Sequence, residues 1–233
     1  MENLHVSDNK RYLMKGSEPF FWLADTGWLI FGNISEEEAY NYLKNRADKG
    51  FNVIQAVLVY STKELESVNK MYWGGADRIN DEEYWQHVER IIKMADKLGL
   101  YMALLPSWGS LLKNNLITSE NVLVYGRFLA ERLEKYSNII WVLGGDIKAD
   151  NYVEIYRKLG RYFKEKMPDK LITFHPFGRC ASSMWFADDS WLDFNMFQSG
   201  HRRYDQCNLG AWDDTDNPSY YGEDNWKYVK NDY

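Results

Sequence analysis

Apolar and polar positions along the chain fall into a repeated two-part pattern. A short apolar run is followed by a loop, then by a stretch with apolar residues three or four apart. The opening LHVSDNKRYLM reads as a β-hairpin turning at Ser7-Asp8-Asn9, and Lys15-Gly16-Ser17 makes a second turn. From residue 20 the pattern is strand, loop, helix, and it repeats. Strands are predicted over 20–24, 51–59, 100–105, 139–143, 171–174 and 192–198. Helices are predicted over 35–49, 81–98, 119–136 and 151–167, with a short one over 181–187 and a last one over 220–230. Ser35 and Glu38 form a capping box at the first helix start, and Gly50 and Gly99 stop the first two helices. The 51–59 run is almost wholly apolar, broken by Gln55, as suits a strand covered on both faces.

Six strand–helix units running one way predict an α/β fold with a parallel sheet. No linker or composition shift divides the chain, so residues 1–233 are expected to be a single domain. Two closures compete, a (β/α)₈ barrel and an open doubly wound sheet. The doubly wound nucleotide-binding sheet wants a glycine-rich turn after its first strand, and Ala24-Asp25-Thr26-Gly27-Trp28 lacks that spacing. No phosphate-binding loop occurs elsewhere, so the barrel is favoured.

A barrel collects its chemistry at the C-terminal ends of the strands. Those positions hold Asp25 and Trp28, Gln55, Tyr60 and Trp73, Ser107 and Trp108, Asp146, His175, then Gln198, His201, Arg202 and Arg203. Carboxylates, amides, imidazoles, guanidinium groups and indoles converging on one rim suit a sugar. Polar groups bond the hydroxyls and flat rings pack on the C–H face. A lone Asp or His at a strand end is often a loop cap; the whole set at one end is the signal. Metal-dependent hydrolysis fits poorly, because His5, His87, His175 and His201 are scattered and no H-E-x-x-H occurs. The G-x-S-x-G nucleophile motif is also absent.

Composition narrows the partners. With 28 basic and 34 acidic residues the formal charge is −6, which disfavours nucleic acid and anionic membranes. No apolar run approaches the ~18 residues of a spanning helix, and the first twenty residues hold no signal-peptide core. Cys180 and Cys207 are expected to be free thiols.

The segments FFWLADTGW, GFNVIQAV, NIIWVLGGD, FHPFGR with SSMWF, DFNMFQSGH and DNWKYV occur in that order. Together they resemble the apiosidase-like catalytic domain family, the group that includes glycoside hydrolase family 140. The resemblance runs from about Lys15 onward. It implies a (β/α)₈ barrel of the retaining glycosidase clan, with a cell-wall or pectic oligosaccharide or polysaccharide as substrate and no cofactor or metal. It implies a periplasmic or extracellular setting. It assigns Asp146, in Gly144-Gly145-Asp146, as general acid/base. Retention needs two carboxyl groups ~5–5.5 Å apart. The family's nucleophile is a Glu just after the D-N-W-K-Y-V block, and none of the 233 residues matches it. The chain therefore reads as a barrel truncated at its C-terminal units, inactive alone. The binding residues expected on this reading are Asp25, Gln55, Tyr60, Trp108, His175, Gln198, His201 and Arg202. A non-catalytic carbohydrate-binding protein on the same barrel is the alternative.

Overall fold

The computed structural model describes residues 1–32, 34–60, 81–178, 180–198 and 230. Two sheets are present among them. The first is an antiparallel meander of β1 (Leu4–Val6), β2 (Leu13–Lys15) and β3 (Glu18–Phe20). The expected hairpin thus gains a third strand, because the turn at Gly16, with φ +57°, returns the chain against β2. The second sheet is parallel, ordered β4 (Ala24–Thr26), β5 (Val53–Val59), β6 (Tyr101–Ser107), β7 (Ile139–Ile147) and β8 (Ile172–Pro176). Between its strands lie α1 (Glu36–Asp48), α2 (Glu82–Lys97), α3 (Ser110–Lys113), α4 (Val122–Leu133) and α5 (Val153–Lys166); α6 (Ser183–Phe186) follows β8.

Strand order follows chain order, which is the winding of a barrel and not of a doubly wound sheet. The two faces confirm it. Leu43 of α1, Val88 of α2, Tyr125 of α4 and Phe163 of α5 all pack in one apolar cluster on one face. The other face carries Val53, Val57, Tyr101, Ala103, Leu105, Ile140 and Val142, and no residue of the described helices joins them. This is a (β/α)₈-type architecture, with helices outside and an apolar interior within the curl. Both faces are covered, which is why β5 and β6 read as almost unbroken apolar runs.

Local chemistry explains the element ends. The Ser35 hydroxyl accepts from the Glu38 amide while the Glu38 carboxylate accepts from the Ser35 amide, the full capping box. The Asp81 carboxylate accepts from the Tyr84 amide at 3.0 Å and starts α2. The meander closes the base of the barrel. There the Tyr101 hydroxyl donates to the Glu2 carbonyl, Phe20 meets Tyr101 edge to face, and the buried Lys170 donates to Asn3 and to the Tyr136 carbonyl.

Three expectations change. The strand expected over 20–24 divides into β3 and β4. β6 does not end at Pro106 but runs to Ser107, since Ser107 still pairs with Val59 of β5. The strand expected over 192–198 is not formed, although the segment follows β8. The Asp193 amide donates to the Ile172 carbonyl, Thr173 donates to the Phe194 carbonyl, and Ala181 bridges Phe197. The Asp193 side chain accepts from the Ile172 amide and from Lys164, and so takes the place of ladder bonds. The helix expected over 220–230, apart from Lys230 itself, and Cys207 lie outside the described residues. Cys180 is buried and is not in a disulfide. Among the described residues no helix is long and apolar enough to cross a membrane.

His87 of α2 supplies a test of the helical layer. Its Nε2 is buried with no hydrogen-bond partner among the described residues, and its Nδ1 lies 3.9 Å from Glu36 of α1. Burial holds its pKa below the usual imidazole value, opposed by Glu36 and assisted by Arg90. The unfolded chain therefore takes up this proton first as pH falls. The stability tied to neutral His87 is complete above about pH 6.5 and declines below it, by at most about 1.4 kcal/mol per pH unit. Urea denaturation of the His87→Leu variant between pH 7 and 5 is expected to show a shallower loss of stability than the parent. Equal slopes would remove His87 from the account.

Candidate active site

The rim of the sheet is organised by one irregularity in β7. Gly144, Gly145 and Asp146 have φ of +100°, +106° and +47°, three successive residues in the left-handed half of backbone space. Gly144 pairs with His175 and Ile147 with Pro176, so two residues of β7 bulge out between consecutive partners. A Cβ on Gly144 would stand 2.3 Å from the His175 carbonyl oxygen, and one on Gly145 would stand 2.8 Å from Cε3 of Trp108. The bulge is sealed on the β6 side, where the Gly109 amide donates to the Gly145 carbonyl at 3.0 Å. Glycine is required by backbone angle and by space together.

The bulge turns Asp146 onto the rim. Its backbone amide donates to His175 Nδ1 at 3.4 Å, and its Oδ1 accepts from Gln198 Nε2 at 2.9 Å. The same Oδ1 is 3.8 Å from His175 Nδ1, and the carboxyl side chain stays one-third exposed. Around it stands an aromatic wall. Trp28 meets Trp108 at 5.3 Å between ring centres and His175 at 5.5 Å, both edge to face; Tyr60 meets Trp108 at 5.4 Å. Trp108 is placed by its own amide, which donates to the Val59 carbonyl at the end of β5.

The expected site residues divide. Asp146, His175, Gln198, Trp108 and Tyr60 come together in this cluster, joined by Trp28. Gln55 faces the inner side of β5, between Val53 and Val57, and its Oε1 is buried with no hydrogen-bond partner among the described residues. Asp25 is not brought in. Its carboxylate accepts from the Tyr42 hydroxyl at 3.0 Å and pairs with Arg46, both on α1, and also accepts from the Thr26 amide. The reason is strand parity. Ala24 faces the inner cluster, so its neighbour Asp25 points outward to the helix. Burial and then the Asp25 carboxylate push the Tyr42 hydroxyl up to about 12, so it stays a neutral donor. His201 and Arg202, with Trp73 and Arg203, lie outside the described residues. Trp28 was visible after the first strand, yet only the ring contacts mark it as a wall residue. Among the described residues no three His, Cys, Asp or Glu side chains gather as a metal site.

The match to the family model "Apiosidase-like, catalytic domain" covers residues 7–233. A solved glycoside hydrolase is 38% identical, with a TM-score of 0.86 over 99% of this chain and 53% of its own. A glycoside hydrolase family 5 structure from Bacteroides vulgatus is 36% identical, with a TM-score of 0.84 over 99% of this chain and 50% of its own. The chain thus spans about half the length of these two structures. A β-1,4-D-mannanase from Cryptopygus antarcticus shares the fold alone, at 10% identity and a TM-score of 0.56, over 77% of this chain and 62% of its own. The search of curated proteins gave no match.

Two substitutions test the geometry. Gly144→Ala is expected to destabilise the protein by roughly 2–3 kcal/mol, because the new methyl group meets backbone that cannot rotate away. Gln55→Met is expected to act in the opposite sense. It removes an unsatisfied buried amide oxygen and should stabilise the ligand-free protein by about 1 kcal/mol. Denaturation midpoints read both, and a Gln55→Met protein less stable than the parent would show that the amide is satisfied in solution.

Proposed function

Because the chain belongs to the apiosidase-like catalytic domain family, we propose that it provides the acid/base half of a retaining glycoside hydrolase. Its substrate is a plant cell-wall or pectic side chain, met outside the cytoplasm. Asp146 is the general acid/base. It protonates the leaving glycosidic oxygen, then takes a proton from the water that releases the sugar from the enzyme. The observation that carries this reading is a partly exposed carboxyl against an aromatic wall, its Oδ1 fixed by the Gln198 amide and one-third of its side chain open to a ligand.

The remaining groups serve binding. Trp108 and Tyr60, with Trp28 behind them, offer ring faces and edges to the C–H surface of a sugar. Gln55 brings an amide oxygen that a hydroxyl donor would satisfy. His201 and Arg202 hold a further hydroxyl, or the carboxylate of an acidic sugar, which a guanidinium accepts with two parallel hydrogen bonds. Asp25, committed to α1, has no part in this reading. The nucleophile on this reading is a second carboxylate, a Glu by resemblance. Turnover on this reading needs that second carboxylate, whereas sugar binding needs only the wall and the amides.

Asp146→Asn tests the assignment. In protein that carries the second carboxylate, hydrolysis of an unactivated glycoside is expected to fall by about 10²–10⁴-fold, the usual worth of a positioned proton donor. Sugar affinity, read by calorimetry, should change by no more than a few-fold. An aryl glycoside whose leaving group needs no proton should lose far less in its first step. Equal losses on both substrates would refute the acid/base role. Unchanged binding with no turnover in either protein would favour the carbohydrate-binding reading.

A further inference from the structure

Resting on the reading of Asp146 as acid/base, we propose that His175 is its positioning residue and not a sugar ligand, and that the neutral imidazole is the working form. The contact that carries this is unusual in direction. The backbone amide of Asp146 donates to Nδ1 of His175, so that nitrogen is an acceptor and holds no proton. The imidazole is therefore neutral, with its proton on Nε2. The amide it accepts belongs to a non-glycine residue at φ +47°, next to two glycines that also have positive φ. That conformation costs energy for a residue with a Cβ. An acceptor aimed at its amide is a local compensation.

The ring is held to this task. His175 is 8% exposed, and Trp28 and Trp108 pack against it at 5.5 and 6.0 Å between ring centres. Among the described residues, the groups that face it include the Asp146 carboxyl from β7, the neutral rings of Trp28 and Trp108, and the neutral Gln198 amide through Asp146. Lys148, just beyond β7, stands over the Phe177 ring. Protonation of Nδ1 would set two donors against each other at the Asp146 amide. It would also draw Oδ1, 3.8 Å away, toward the imidazolium and off the Gln198 amide. Lowering the pH through the His175 ionisation thus releases the backbone of Asp146 and rotates its carboxyl. His175 sets an acidic limit on the site without touching substrate.

The test uses the ¹⁵N-labelled protein and needs no turnover. The Asp146 amide resonance should titrate with the midpoint of the His175 ring itself, and its exchange protection should fall below that midpoint. His175→Asn places an amide oxygen near the Nδ1 position and cannot titrate. It should keep the protection and lose that pH step. His175→Phe keeps a ring between Trp28 and Trp108 but has no acceptor, and should lose protection at every pH by roughly tenfold. Full protection in His175→Phe would overturn the proposal, as would an Asp146 amide that titrates identically in His175→Asn. An Asp146→Asn enzyme that still hydrolysed glycosides would sink the catalytic reading while leaving these amide measurements intact, so the two failures are separable.

Discussion

The close approach of β7 to its two neighbours governs this site. At Gly144 the strand passes so near the His175 carbonyl, and at Gly145 so near the Trp108 ring, that no side chain fits at either position. A regular strand there would continue the alternation of inside and outside, and Asp146 would point where parity sent it. The bulge breaks the parity. It delivers a carboxyl to the rim, an amide to His175 and a carbonyl to the Gly109 amide in one short stretch. The aromatic wall depends on the same approach, since Trp108 packs over the space that the Gly145 side chain would have filled.

The outer layer supports that distortion. Behind β7 and β8, Trp141 meets Phe163 at 4.5 Å, Phe174 meets Phe186 at 4.9 Å, and Tyr156 meets Phe174 at 5.0 Å. Phe174 also touches the space beside Gly144. Large rings interlocked in this way leave little freedom for the strands they back. The Tyr156 hydroxyl, the Trp141 indole nitrogen and the Trp191 indole nitrogen are all buried there without hydrogen-bond partners among the described residues. Each such group costs about 1–3 kcal/mol. The layer therefore gives up some stability for rigid packing behind the site.

Polar chemistry along the rim sorts by which side of the sheet a residue faces. Asp25 and Asp146 both stand near strand ends, and in sequence they look alike. One is neutralised by Arg46 and Tyr42 on the helix side. The other is held by an amide and left partly open. A carboxylate locked to a guanidinium is a strut, while one fixed by a neutral donor remains available to a ligand. Gln55 shows the same sorting in reverse: it interrupts an apolar strand, faces inward, and its oxygen waits for a donor.

Periodicity determined the parallel α/β class, and the strand order of the folded sheet then gave the barrel winding. The 3.6-residue faces of α1, α2, α4 and α5, the largely apolar runs of β5 and β6, the Ser35–Glu38 capping box and the glycine stops are local features, and local physics fixes them. The Gly144-Gly145-Asp146 segment drew attention to Asp146 only through its resemblance to a family motif, and its acid role is the one proposed above. What tertiary structure decided was everything set by contacts distant in sequence. Strand parity at β4 committed Asp25 to α1. Side-chain bonds from Asp193 and Thr173 replaced a ladder along 192–198. The bulge brought His175, twenty-nine residues away in sequence, to the amide of Asp146. No pattern in the chain encodes those meetings, because each depends on how two separately stable elements approach once the barrel curls.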